Sequence, residues 1–325
     1  MYTDKRLFYK MIYQKTFPDL KKSHPREDFF LSRRNIFAIA DGITRDPLGF
    51  KDFSGHDWNE MSKSYPNPSG AALAAKKFCQ SFVKSISKIK KIDLKAVRQA
   101  FLSANHEIGK LNQKNVPKVD YLENDFWACV AAGGVIHQNI LFWGAITDCG
   151  LAIYKKSGQK KFQTKNWMRP FEKYLAKNPI PFAKPEVRRK IRSEFRNKLK
   201  MTHRGKPVGY GALTGEKEAK KFMHFGKVEL EKEDLVIFYT DGFEKVISQK
   251  DFFKNIYFPK FARSCHPELD LVSRRKKNLI PKQVRNDALK NTKIIEKRFV
   301  PFSLKLAEKD PPVFGRERTI IAKIF

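Results

Sequence analysis

Two apolar runs of strand length, Asn35 to Ala40 and Leu235 to Tyr239, both lead into an Asp-Gly pair, Asp41-Gly42 and Asp241-Gly242. Each reads as a buried strand that stops at a turn, so a fold of this chain has to place an acid at the end of two interior strands. A single Asp-Gly is a common turn and carries no chemistry alone. Glycine after each Asp lets the backbone bend sharply and leaves a carbonyl open to approach. Between the two runs the period changes. Ala75, Phe78, Cys79, Phe82, Val83 and Ile86 fall on one face of a helix that Ser69 is placed to cap. A second helix is predicted from Asp93, with Val97, Phe101, Ala104, Ile108 and Leu111 inward. From Phe126 to Tyr154 the chain is apolar and β-rich, broken at Gly133-Gly134, at His137 to Asn139 and at Asp148 to Gly150, which predicts three consecutive antiparallel strands. Thr319 to Phe325 predicts a closing strand. This order is α+β rather than a βαβ alternation and disfavours a doubly wound nucleotide fold.

The charge balance, 66 Lys and Arg against 34 Asp and Glu, leaves +32, a field that attracts anionic partners and says nothing about fold. Residues 155–206 hold eighteen basic and three acidic side chains. Pro179, Pro181 and Pro185 mark a loop or lid there, followed by a helix from Val187 to Leu199 that is basic nearly all round. Such a helix is either a solvated surface element or an anion-binding face. The four cysteines, Cys79, Cys129, Cys149 and Cys265, show no C-x-x-C spacing, which fits a reducing compartment and gives no structural zinc site. No leader pattern opens the chain and no stretch approaches eighteen apolar residues, so no membrane contact is expected and the cytoplasm is the expected location. The seven histidines are dispersed without H-x-x-x-H spacing, and Gly205 to Gly215 lacks a phosphate-loop pattern.

The carboxylates carry the chemical signal: Glu27-Asp28 ahead of the first run, Asp41 and Asp241 at strand ends, Asp148 after the strand cluster and Glu317 before the last strand. Hydrolysis of a phosphate ester at neutral pH needs neutralised phosphoryl oxygens and an acidified water. Two divalent metals on Asp and Glu oxygens supply both. Arg26-Glu27-Asp28-Phe29 followed by Phe37-Ala38-Ile39-Ala40-Asp41-Gly42, the small-residue helix start Ser69-Gly70-Ala71-Ala72, Ala145-Ile146-Thr147-Asp148-Cys149-Gly150, Gly211-Ala212-Leu213-Thr214-Gly215-Glu216, and Leu235 to Phe243 with its Thr240-Asp241-Gly242 occur in that order. Together they resemble the PPM/PP2C family of metal-dependent protein phosphatases, over roughly residues 20–325.

The resemblance implies a four-layer α/β/β/α sandwich of two mainly antiparallel sheets flanked by helices, as one domain over 1–325. It also implies two Mn2+ or Mg2+ ions in a cleft at one sheet edge. On it, Asp41, Asp241 and Glu27 are the candidate catalytic residues. The candidate metal ligands are Asp41 as the bridge, Gly42 through its carbonyl, Asp241, Asp28, Glu317, and Asp148 at a third-metal position. The implied reaction is attack of a metal-activated water on a Ser or Thr phosphoprotein, a kinase target, by a bacterial, monomeric enzyme with room for an anionic partner at the basic lid. Departures from the pattern are Arg316 where a closing metal-binding Asp stands, with Glu317 one place along, Thr147 and Cys149 around Asp148, Asn124-Asp125-Phe126 for Gly-Thr-Thr, and Ser23 at a substrate-binding Arg. They leave a pseudophosphatase as one alternative, and the basic composition leaves a nucleic-acid-binding protein as another. Residues 266–287 resemble a translated bacterial palindromic repeat, which predicts a surface insertion over about 263–295 without catalytic role.

Overall fold

The computed structural model describes residues 12–17, 25–49, 60, 62–178, 181, 184–201, 205, 207–257, 282–310 and 317–325, without the side chains of 282–295. Strands β1 (Ile12–Phe17), β2 (Phe29–Arg33) and β3 (Ile36–Gly42) precede helices α1 (Gly70–Lys88) and α2 (Leu94–Asn115). Strands β4 (Cys129–His137), β5 (Ile140–Ile146), β6 (Gly150–Tyr154) and β7 (Lys160–Gln163) follow. Then come α3 (Arg169–Lys177), α4 (Pro185–Phe195), β8 (Met223–Glu229), β9 (Leu235–Tyr239), the short α5 (Asp241–Glu244) and α6 (Phe252–Ile256), α7 (Lys282–Lys309) and β10 (Arg318–Ile324). Two five-stranded sheets result, ordered β1-β10-β9-β6-β7 and β2-β3-β4-β5-β8, with every pair antiparallel. This is the expected α/β/β/α sandwich.

Capping starts both long helices where the sequence places them: Ser69 Oγ accepts from Ala72 N at 3.1 Å and Asp93 Oδ1 from Ala96 N at 2.9 Å. Their inner faces put Phe78, Phe82 and Phe101 on the second sheet. Between the sheets Phe37 stacks on Phe238 at 5.6 Å. A second apolar cluster, with Tyr13, Phe17, Phe243, Phe252 and Phe299, covers the outer face of the first sheet. Gly133-Gly134 does not break a strand, as the sequence suggested, but lies inside β4. A Cβ on Gly133 would meet Phe82 at 3.0 Å on the helix side, and one on Gly134 the Phe142 carbonyl at 2.7 Å. A strand pressed on both faces needs the pair for close approach.

The basic segment differs most from its simplest reading. Helix α4 turns Arg188, Ile191 and Phe195 inward, and Arg196 just after it is buried too. Phe171, Ile191, Phe195, Val208 and Tyr210 form a small third core beneath it. Of the repeat-like peptide, residues 266–281 lie outside the described residues and the remainder begins α7. No described helix is long and apolar enough to cross a membrane.

Candidate metal centre

The sheet register brings the acids together. Asp41, at the end of β3, pairs with Val130 near the start of β4. Ala131 pairs with Ile146, so Asp148 follows at the same edge. In the other sheet Tyr239 pairs with both Gly150 and Ile320, which sets Asp241 and Glu317 there as well. Asp28 immediately precedes β2, whose Phe29 faces Ala40. A cavity of about 560 Å3 opens at this edge, lined by Asp41, Gly42, Asp148, Asp241 and Glu317 together with Thr44 and Thr147. Asp28 stands next to this lining, held by Thr240 Oγ1 at 3.0 Å.

Close packing rather than backbone handedness explains the two glycines. Neither Gly42 nor Gly242 is in the left-handed region. A Cβ on Gly42 would come within 2.7 Å of the Ala71 carbonyl carbon, and one on Gly242 within 2.7 Å of the Glu317 backbone carbonyl oxygen. Glycine thus seats Asp41 against the start of α1 and Asp241 against the approach to β10.

Electrostatics reflects the crowding. Burial, then the charges of Asp28, Asp241, Asp148 and Glu317, push the Asp41 carboxyl well above the usual carboxylate range. Asp28 is raised by burial, then by Glu317. Asp148 is pushed up to about 8 by burial, then by Asp241, and its Oδ1 is buried without a hydrogen-bond partner among the described residues.

Glu27 and Glu317 are placed differently from the aspartates. The Glu27 carboxylate accepts hydroxyl bonds from Thr44 at 2.6 Å, Tyr65 at 3.0 Å and Ser69. Ser69 is also the α1 cap, so Glu27 ties that helix to the acidic segment. Glu317 lines the cavity while its oxygens accept from the backbone N–H of Glu27 at 2.9 Å and Asp28 at 3.2 Å. Lys22, Ser23, His24 and Arg316 lie outside the described residues.

The basic segment supplies Met168, Phe171, Leu175, Arg188, Ile191 and Arg192 to the same lining, with Tyr210 from just beyond that segment. Arg188 Nε and Arg192 Nη2 grip the two oxygens of buried Asp46 at 3.0 and 2.7 Å. Arg196 holds buried Asp125 through both Nη atoms at 2.9 and 2.5 Å, with Arg192 Nε 3.5 Å from the same carboxylate. The sequence did not single out Asp46. It showed Asp125 only as a departure from Gly-Thr-Thr. These arginines are neither a solvated face nor an open stripe.

No protein-family model and no curated protein matches the chain. Solved structures do. The Mycobacterium tuberculosis serine/threonine phosphatase PstP/Ppp superposes with a TM-score of 0.53 at 13% identity, over 97% of each chain. The PstP catalytic domain in complex with 2 manganese ions gives 0.52 at 14%, over 96% of this chain and 97% of that one. The S. agalactiae serine/threonine phosphatase gives 0.50 at 12%, over 97% of this chain and 98% of that one. The chain has their PP2C-like fold. At such identities a shared fold does not fix an activity, which has to come from the site.

The residues fit divalent cations. Every acid at the cleft offers hard oxygen, the set that magnesium and manganese take. The partnerless buried Asp148 Oδ1 and the raised Asp41 carboxyl both mark negative charge that a cation would offset. Among the described residues no three His, Cys, Asp or Glu side chains form a ready-made shell around one point. The acids ring the cavity instead.

Proposed function

We propose that this chain is a metal-dependent phosphoprotein phosphatase acting on serine or threonine phosphate. One observation carries the reading: Asp41, Asp148, Asp241 and Glu317, from four separate parts of the chain, line one cavity in a PP2C-like fold, with Asp28 beside it. Asp41 and Asp241 would hold two manganese or magnesium ions, with Gly42 contributing a carbonyl and Asp148 an outer position. When bound, such ions neutralise phosphoryl charge and acidify a water for in-line attack. Asp28, fixed by Thr240, and Glu317, fixed by the amides of Glu27 and Asp28, hold the negative floor in place. Glu27 we read as a positioning residue, because its carboxylate is occupied by three hydroxyls. The apolar wall of Met168, Phe171, Leu175 and Ile191 keeps bulk water from the far side.

On this reading residues 1–325 are one domain, 155–206 a lid and 263–295 a catalytically silent insertion. The enzyme works as a monomer in the bacterial cytoplasm on a kinase target, which the free buried thiols Cys79, Cys129 and Cys149 suit. An inactive scaffold is the second reading, favoured by the engagement of both Glu317 oxygens with backbone amides. Hydrolysis of p-nitrophenyl phosphate and a phosphothreonine peptide, with and without Mn2+ and with Asp241→Asn as control, separates the two. Manganese-dependent turnover that vanishes in the variant is expected. Folded protein that turns over neither substrate at any metal concentration selects the scaffold.

A further inference from the structure

We infer that the outer face of the α1–α2 pair is a docking surface for the phosphate backbone of a double-stranded nucleic acid, apart from the cleft and independent of the phosphatase reading. Residues 70–118 carry eleven Lys and Arg against two acids. Both acids are engaged locally: Asp93 Oδ1 accepts from Ala96 N at 2.9 Å as the α2 cap, and Glu107 pairs with Lys110 at 2.8 Å. Lys84, Lys88, Lys90, Lys91, Lys95 and Arg98 are all exposed around the turn that joins the helices, and none of the six has an ion pair among the described residues. The strands beneath add little negative charge. β2, β4 and β5 contain no acid, Asp41 of β3 belongs to the cleft, and Glu229 at the end of β8 is bonded by Asn139 Nδ2 at 2.8 Å. Helix α1 starts at the cleft, where Ala71 packs on Gly42, and its 19 residues carry the cationic turn about 28 Å away.

The chemistry of the face selects the partner. Among the described residues the exposed large apolar side chains are Leu48, Leu199, Met201 and Leu304, none of them here, and Ile89, Ile92, Leu94 and Leu102 are half-buried against the core. A helix that lies on a membrane needs an apolar face to sink between headgroups. A protein interface needs a desolvated aromatic or apolar centre, and a single strand needs aromatic platforms for its bases. Instead the face presents charge in rows. Lys84 and Lys88 stand at i,i+4 on α1, Lys95 and Arg98 at i,i+3 on α2, each pair about 5–6 Å apart. Lys90 and Lys91 join the two rows, and Arg98 is steadied over the Phe225 ring at 5.1 Å. A duplex, with one negative charge per about 1.7 Å of axis, meets such rows without any reading of sequence. The basic segment of α3 and α4 suits this partner less well. Its Arg188, Arg192 and Arg196 are tied into a buried ladder with Asp46 and Asp125, and Glu172 and Glu186 interrupt its exposed cations.

The test uses the full chain and a fluorescent mixed-sequence DNA duplex, with anisotropy followed between about 50 mM and 200 mM salt. One triple variant, Lys88→Gln with Lys91→Gln and Lys95→Gln, neutralises the face. A second, Lys173→Gln with Lys177→Gln and Lys184→Gln, removes the same net charge from the α3–α4 segment. The first should weaken duplex binding about tenfold or more and flatten the plot of log affinity against log salt by about 2 to 3 units, while the second should change the slope by less than about 1. Equal losses in the two variants would mean that binding follows net charge rather than this face, and would overturn the inference. So would a parent that binds no duplex at about 50 mM salt. Binding to phosphatidylserine vesicles without binding to the duplex overturns it in favour of a lipid surface. Should the first variant not fold, Lys84→Gln with Lys88→Gln decides, with a slope shallower by about 2 units expected and an unchanged slope overturning. Saturating duplex should leave p-nitrophenyl phosphate turnover unchanged, because the face and the cleft lie at opposite ends of α1. Competition between them would put the duplex in the cleft and defeat the inference. Anisotropy needs no turnover, so a failed phosphatase reading leaves this test intact.

Discussion

Asp148 shows what the acid cluster costs when no cation is bound. Burial and Asp241 hold its carboxyl up to about 8. A carboxyl raised above its unfolded value supports folding fully below about pH 4 and loses that support as pH climbs through the folded value. In chelator-treated protein, Asp148→Asn should therefore raise the melting temperature, by on the order of a few kcal/mol of stability at pH 8, with the gain fading toward pH 4. Melting curves at pH 4, 6 and 8 would check it, and a variant no more stable than its parent at pH 8 would contradict the crowding described above. Asp41 and Asp241 were legible because each ends an apolar run. The hydroxyl cradle of Glu27 was not, since Thr44, Tyr65 and Ser69 reach it from 17 to 42 residues away and no local pattern links them.

Elements were legible where one periodicity dominated. Both long helices start at the capping residues seen in the sequence, and β3, β9 and β10 fall on its apolar runs. Strands β1, β2, β7 and β8 escaped because all four mix polar and apolar residues, and β2, β7 and β8 are sheet edges, as is β1. Helix α4 misled for another reason: its inward face carries arginine, and the acids that make this tolerable lie far off at Asp46 and Asp125. Burial alone would lift the Asp125 carboxyl, yet the Arg196 guanidinium, with Arg192, holds it below the usual range. The sign gives ladder stability that is complete above about pH 4 and is lost only as pH falls further. Asp125→Asn leaves Arg196 buried without its anion and should cost about 3–5 kcal/mol in urea denaturation at pH 7. A loss under about 1 kcal/mol would mean that the Tyr121 and Phe126 rings over which Arg196 lies hold it well enough alone.

Across the whole molecule, +32 on 325 residues means that folding concentrates like charge. The buried ladder uses only a few of those cations. Pairs at the surface whose basic partner is exposed, such as Lys156–Glu233 at 2.5 Å and Arg169–Glu244 at 2.7 Å, contribute modestly individually. Long-range repulsion among the remaining lysines and arginines is then the larger salt-sensitive quantity, and it is screened as the Debye length falls from about 30 Å at 10 mM to about 8 Å at 150 mM salt. The melting temperature of metal-free protein should accordingly rise by a few degrees between those two concentrations of sodium chloride. Only attractive pairs oppose the trend, and the strongest of them, at Asp46 and Asp125, are buried and screened least. A melting temperature that falls with added salt would show that surface pairing outweighs repulsion, and that the excess charge is balanced locally instead of being left over for anionic partners.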